Sequence, residues 1–289
     1  INRNKKISFE FNGKKYFGYE GDTLASALLA NGVHLVGRSF KYHRPRGFIG
    51  AGVDEPNAQV QLYSGDKTEP NAIATTVELV EGLVASSQNC WPSVSFDFGA
   101  INNFLSKFFP AGFYYKTFMW PKSFWYKIYE PIIRKAAGLG VAPLKPDPDR
   151  YEHKFEYCDI LIAGSGPSGL ASALASAKSG ARVILAEDKP RFGGSLLIDD
   201  VTIGNKKGND WVDETIAQLK SMPNVILKNR SQVFGYYDHN MMVMIERTKD
   251  HIEKPNKFRP RQRLWYIRAK EVIISTGSIE RPLVFGNND

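Results

Sequence analysis

Cysteine is scarce in this chain. Only Cys90 and Cys158 occur in 289 residues, which excludes a disulfide framework and offers no metal-ligand spacing. A reducing, cytoplasmic setting is the expectation that follows. An apolar leader is missing as well: the chain opens Ile1-Asn2-Arg3-Asn4-Lys5-Lys6, without the hydrophobic stretch that a secretory signal carries. The longest run without charge, Ile160 to Ala177, is broken by Gly164, Gly166 and Gly169 and reads as a turn and a helix of a soluble domain, so no membrane span is expected. Zinc-finger spacing, an RNP-like strand and a helix-turn-helix pattern are all lacking, and nucleic acid is not an expected partner. The histidines, His34, His43, His153, His239 and His251, are scattered. None forms a pattern with an acid or a nucleophile, so no catalytic residue is assigned.

What the chain does have is charge in blocks. The formal net charge is +8, but residues 1–50 carry nine Lys/Arg against three Asp/Glu, whereas residues 51–100 carry one against seven. Alternating blocks point to docking surfaces for other proteins rather than to a continuous nucleic-acid track. Composition is otherwise that of a globular protein, with 43% hydrophobic and 24% charged residues. The length is enough for a sizeable core and two domains.

The strongest local signal is Gly164-Ser165-Gly166-Pro167-Ser168-Gly169. It follows an apolar run, Tyr157 to Ala163, that reads as a buried strand, and precedes a helix of small residues and leucines from Leu170 to Ser179. A second β-type run, Ala181 to Ala186, ends at Glu187 and Asp188. Strand, glycines, helix, strand and acid in that order predict a dinucleotide-binding βαβ unit. Gly164 permits the tight turn, Gly166 lets the backbone approach a pyrophosphate, and Gly169 lets the helix sit close to the sheet. The helix N-terminus offers N–H groups and a partial positive charge to the phosphates. Glu187 would accept from the ribose hydroxyls and repel a 2′-phosphate, favouring NAD or FAD over NADP. Gly193-Gly194, followed by Ser195, marks a second close approach to the cofactor. Glu271 to Gly277 reads as a strand returning beside the first, bringing Thr276 and Gly277 near the dinucleotide.

Before this unit, Ile7–Phe11 and Lys15–Tyr19 alternate around Asn12-Gly13, a hairpin signal. Thr23 caps a helix from Leu24 to Asn31, stopped by Gly32. A hairpin-like element at Ala58–Tyr63 follows, and Thr75–Ser86 reads as strand or helix. Together these suggest a small β-grasp-like domain over residues 1–90. The connecting segment, 91–150, includes Phe104–Tyr129, where twelve of twenty-six residues are aromatic. Three uses remain open for it: a buried inter-domain or inter-subunit plug, an interfacial membrane segment, or a base-stacking surface. Pro143 to Asp149 is a stiff linker. Residues 151–289 form the Rossmann-type domain, with Asp210–Met222 as a helix, Val225–Leu227 as a third parallel strand, and Ser231–Tyr237, Met241–Thr248 and Leu264–Arg268 as a β-meander. The basic stretch Lys249–Arg263 reads as its solvated tip. The chain lacks an initiating Met and stops at Asn287-Asn288-Asp289, so it reads as a fragment cut at both ends.

The glycine motif, Glu187, Gly193-Gly194 and Ser275-Thr276-Gly277 together resemble the two-dinucleotide-binding flavoproteins. Four further strings, Gly21–Leu24, Gly37–Gly47 (Gly-Arg-Ser-Phe-Lys-Tyr-His-Arg-Pro-Arg-Gly), Ala111–Pro121 and Arg281–Asp289, resemble the α subunits of heterotetrameric sarcosine oxidases. That resemblance implies a ferredoxin-like N-terminal domain joined to the nucleotide-binding domain. It further implies NAD on the α subunit, FAD with the oxidation site on a β subunit, FMN between the two, and γ and δ subunits as further partners. The family oxidises sarcosine with O2 to glycine, hydrogen peroxide and a one-carbon unit passed to tetrahydrofolate. A second part of the nucleotide-binding domain and a folate-binding domain would follow in the full subunit. One departure matters: a ferredoxin cluster needs four thiolates, and Gly37–Val60 contains no cysteine. A cluster-less domain is expected, with no metal. The basic residues Arg38, Lys41, His43, Arg44 and Arg46 would either bind an anion such as the FMN phosphate or serve structure and docking. Two alternatives stand beside this reading: an FAD-binding α subunit of an opine or amino-acid dehydrogenase complex, and a structural subunit with a vestigial nucleotide site.

Overall fold

A computed structural model describes residues 1–108, 112, 118–136, 140–252 and 254–279. They belong to two units, one of Ile1–Pro148 with Ile279 and one of Asp149–Ser278.

In the first unit, β1 (Asn2–Phe11) and β2 (Lys14–Glu20) form an antiparallel hairpin. Asn12 (φ 51°) and Gly13 (φ 76°) make its turn, the pair of positive φ values that suits the twist of the strands. Helix α1 (Leu24–Ala30) starts where the Thr23 hydroxyl accepts the Ser26 N–H at 3.2 Å, and it buries Leu24, Ala25, Ala27 and Leu28. A two-residue ladder, β3 (Gly37–Arg38) with β4 (Pro45–Arg46), precedes β5 (Gln59–Leu62), β6 (Glu69–Ile73) and β7 (Leu83–Ser87). The sheet runs β2-β1-β7-β5-β6, with β1 and β7 parallel. Phe9, Phe11, Leu24, Leu28, Val60 and Leu83 are buried together between sheet and helix. Short helices, among them α2 (Ile101–Phe104) and α3 (Glu130–Ala136), follow.

The aromatic segment is not buried within the chain at the residues described. Phe104, Phe108, Trp120 and Tyr126 are all more than three-quarters exposed. The pieces here are only three to seven residues long, too short to build a packed apolar stripe. Phe109, Phe113, Tyr114 and Tyr115 lie outside the described residues, as does the string Arg281–Asp289.

The second unit contains β8 (Tyr151–Ala163), α4 (Pro167–Lys178), β9 (Val183–Ala186), the small ladder β10 (Thr202–Ile203) with β11 (Lys206–Lys207), α5 (Gly208–Ser221), β12 (Val225–Lys228), β13 (Ser231–Tyr237), β14 (Met241–Arg247) and β15 (Gln262–Ile274). Its sheet order is β12-β9-β8-β15-β14-β13. The first four strands are parallel, and β14 and β13 extend the sheet antiparallel. Leu170, Ala173 and Ala177 of α4 and Val212 and Leu219 of α5 pack with Ile162, Val183 and Leu185 on one side of the parallel strands. Cys158, Leu161, Ile184, Met242, Met244 and Ile267 form a second core cluster.

Two boundaries differ from the sequence reading. Strand β8 starts at Tyr151, not Tyr157, and the segments expected as separate strands around Leu264–Arg268 and Glu271–Ile274 are one strand. The reason is mutual support: Gln262 pairs with Tyr151 and the register continues to Ile274 with Ala163. The loop before β15 is also more ordered than a solvated tip. Lys249 pairs with Asp149 at 2.6 Å, Arg261 with Asp250 at 3.0 Å, and Arg259 donates to the Thr248 carbonyl at 2.7 Å. Among the described residues, no helix is long and apolar enough to cross a membrane.

Candidate nucleotide site

The parallel order β9-β8-β15 places the carboxyl ends of three strands side by side, where open α/β sheets present ligand crevices. Ala163 ends β8, and Gly164 turns the chain at φ +97°. A side chain at Gly164 would collide with the Ser275 carbonyl oxygen at the end of β15, and one at Gly169 would collide with the Gly164 carbonyl oxygen. Both glycines are therefore required by close packing. Gly166 differs: a Cβ there meets nothing within 4 Å. The space over its Cα is open, and Pro167 and Ser168 at the start of α4 are exposed. Pro167 takes the N1 position, where its missing N–H costs no helical bond.

Gly193 (φ +130°) and Gly194 (φ +55°) approach this turn from the other side. A Cβ on Gly194 would lie 2.8 Å from the Gly166 Cα, and one on Gly193 2.8 Å from Leu197, so this glycine pair is required by close packing against the turn. Ser195 is exposed just beyond. Thr276 and Gly277 are also exposed, past the Ser275 N–H that donates to the Ala163 carbonyl at 2.8 Å. The sequence-expected residues Gly164, Gly166, Gly169, Gly193, Gly194, Thr276 and Gly277 are thus brought to one end of the sheet.

Ser165 and Glu187 lie beneath the glycine turn. Ser165 is fully buried. Its N–H donates to Glu187 Oε2 at 3.0 Å, its hydroxyl donates to the same oxygen, and its Oγ accepts the Gly193 N–H at 3.1 Å. Glu187 Oε1 accepts the Lys189 N–H at 3.1 Å. Burial pushes the Glu187 carboxyl up to about 6; the neighbouring Asp188 adds to this, and the Ser165 bond opposes it. Asp188 itself is exposed. Ser165 and Glu187 accordingly join the glycine turn to the end of β9 from within.

The remaining chemistry-bearing groups are structural. Cys158 is buried, which raises its thiol to about 12, and burial also raises Cys90; neither is a poised nucleophile. The Arg38 guanidinium donates to the carbonyls of Val94 (2.9 Å), His43 (3.1 Å) and Ser95 (3.4 Å). His43 Nδ1 pairs with Asp97 at 2.6 Å, and Asp97 also accepts the Trp91 and Gly99 N–H groups. Arg44 Nε donates to Asn103 at 3.0 Å. Three of the side chains in the Gly37–Gly47 string, Arg38, His43 and Arg44, therefore hold Val94, Ser95, Asp97 and Asn103 in place. The sequence signals the basic string but not its acceptors, most of which are backbone carbonyls.

Residues 4–90 match the family described as 2Fe-2S iron-sulfur cluster binding domain, and residues 159–220 match FAD dependent oxidoreductase. The sarcosine oxidase subunit alpha of Rhizobium meliloti (strain 1021) is 54% identical over the whole chain, which covers 29% of that relative. The subunit alpha from Corynebacterium sp. (strain U-96) is 32% identical, again over the whole chain and 26% of the relative. Along its whole length the chain matches the N-terminal region of sarcosine oxidase α subunits. It spans under a third of the length of those relatives. L-proline dehydrogenase from P. horikoshii shares its fold, with a TM-score of 0.59 at 20% identity, over 100% of this chain and 44% of that one.

An iron–sulfur cluster does not fit the residues present. Cys90 is the only cysteine before Cys158, where four thiolates are needed. No group of three or more His, Cys, Asp or Glu side chains is placed to hold a metal among the described residues. The turn is compatible with a diphosphate: a Cβ on Gly166 would meet nothing within 4 Å, and the twelve-residue helix α4 starts next to it at Pro167.

Proposed function

We propose that this chain is the nucleotide-binding N-terminal part of a sarcosine oxidase α subunit, and that it holds NAD. The observation that carries the reading is the open space at Gly166, faced by Gly194 and by the exposed start of α4. In this reading the diphosphate rests against Gly166, Pro167 and Ser168, where the helix N-terminus stabilises its charge. Glu187 supports the glycine turn from beneath: it is 5% exposed, its Oε2 takes both Ser165 donors and its Oε1 the Lys189 N–H, so the ribose contact expected from the sequence is not the role this geometry gives it. Gly193, Gly194 and Ser195 border the diphosphate, with Thr276 and Gly277 on the far side; Asp188 tunes Glu187. A bound dinucleotide supplies hydride chemistry that no side chain here can replace.

The whole enzyme would oxidise sarcosine with O2 to glycine, hydrogen peroxide and a one-carbon unit taken by tetrahydrofolate. Amine oxidation would occur at FAD in the β subunit, with FMN between α and β and with γ and δ completing the heterotetramer. Residues 1–90 would serve as a cluster-less β-grasp domain, 91–150 as a connecting segment that meets other subunits through its exposed aromatics, and 151–289 as the nucleotide-binding domain with its β-meander. The match of residues 159–220 to FAD-dependent oxidoreductases supports a second reading, in which the same surface holds FAD in an opine-type or amino-acid dehydrogenase complex. Purifying the native complex and identifying the nucleotides released on denaturation tests both. NAD in proportion to the α subunit is expected; FAD beyond the one equivalent owed to the β subunit, with no NAD, would select the second reading, and release of the β-subunit flavins only would mark the site as vestigial.

A further inference from the structure

Between β4 and β5 the chain runs Gly47-Phe48-Ile49-Gly50-Ala51-Gly52-Val53-Asp54-Glu55-Pro56-Asn57-Ala58. Glu55 is only 2% exposed. Its Oε2 accepts the N–H groups of Ile49 (2.8 Å) and Gly50 (2.7 Å), and its Oε1 accepts those of Asn57 (2.7 Å) and Ala58 (3.2 Å). Four backbone donors from both ends of one loop thus converge on a single carboxylate. Close backbone packing holds them there. A Cβ on Gly50 would lie 3.1 Å from the Asp54 carbonyl oxygen and 3.2 Å from the Glu55 Cα, and one on Gly47 would lie 2.5 Å from the His34 carbonyl oxygen. Gly52 takes φ +59°, and its carbonyl accepts the Thr75 hydroxyl at 2.6 Å.

This loop lies inside the region that matches an iron–sulfur cluster binding domain, yet it has no thiolate. Backbone N–H groups curled around a point form an anion-binding concavity, and such concavities are used at many iron–sulfur sites; hydrogen bonds to the sulfurs tune those clusters. We propose that Glu55 has taken the cluster's place as the anion at the centre of this loop. The N–H lining of a cluster site is retained, and an internal carboxylate satisfies it. The loop then keeps its shape without metal, and the first unit functions as a scaffold, not as an electron carrier.

The test uses the complete enzyme complex, purified without oxygen. Iron and acid-labile sulfide bound to the α subunit are expected to be absent, and a cluster in proportion to that subunit would overturn the proposal. In the same complex, Glu55→Ala should lower the melting temperature by roughly 5 °C or more, because buried donors lose their acceptor. Excess formate should recover most of that loss, whereas neutral formamide should not. Glu55→Gln, which keeps the shape but turns an NH2 group toward N–H donors, serves if the alanine variant does not assemble, and should also melt lower. Melting unchanged in these variants, or equal rescue by formate and formamide, would overturn the assignment.

Discussion

Ser165 donates its backbone N–H to Glu187 Oε2 at 3.0 Å and turns its hydroxyl onto the same oxygen. The bond spans twenty-two positions of sequence and joins the turn after β8 to the end of β9. Stability should therefore respond to the state of this carboxyl. Burial raises it from 4.5 to about 6, so the folded protein holds the proton more tightly than the unfolded chain does. The contribution is complete below pH 4.5 and is lost as pH rises through 6, about 2 kcal/mol in all. Melting curves between pH 4 and 8 should show this slope in the parent protein. In Glu187→Gln the slope should be shallower by this amount; an unchanged slope would refute the assignment.

The glycines of the turn should separate folding from binding. Gly166→Ala places its methyl in open space at an ordinary φ of −65°, so the melting temperature should barely move. Dinucleotide affinity, measured by calorimetry on the complete subunit, should fall about tenfold or more, a loss of roughly 1.4 kcal/mol. Gly169→Ala drives a methyl into the Gly164 carbonyl oxygen and should destabilise the second unit by about 3 kcal/mol.

Asp97 carries three bonds, from His43, Trp91 and Gly99, and is 8% exposed. Asp97→Ala leaves buried donors without an acceptor and should cost about 2–3 kcal/mol in denaturant unfolding. Nucleotide affinity should not change, since these residues lie in the first unit and the glycine turn in the second.

Phe104 and Phe108 are 87% and 76% exposed. Replacing either with Ser should alter the stability of this chain by no more than about 0.5 kcal/mol. A subunit-association assay is where the loss should register.

Much of this was readable from sequence because the signals were local. Asn12-Gly13 makes its turn with two positive φ values, Thr23 caps α1, and the glycine turn joins β8 to α4 as its spacing requires. What escaped reading depends on distant partners. Tyr151 to Glu156 alternates too weakly to declare a strand until Gln262 to Ile267 lies beside it. The side chain of Glu55 looks like one more acid in an acidic stretch until four N–H groups from both ends of its loop point at it. Arg38 and His43 read either as anion-binding charge or as structural groups, because nothing nearby in sequence reveals that Val94, Ser95 and Asp97 will occupy them.

Strands β8 and β15 advance together for thirteen residues, and the last of β15 delivers Ser275 against Gly164. With the end of β15 held at Ser275, a single deletion between Ala269 and Ile274 would turn Ile267 and Ala269 out of the interior; with its start held at Gln262, the same deletion would instead draw Ser275 away from the glycine turn.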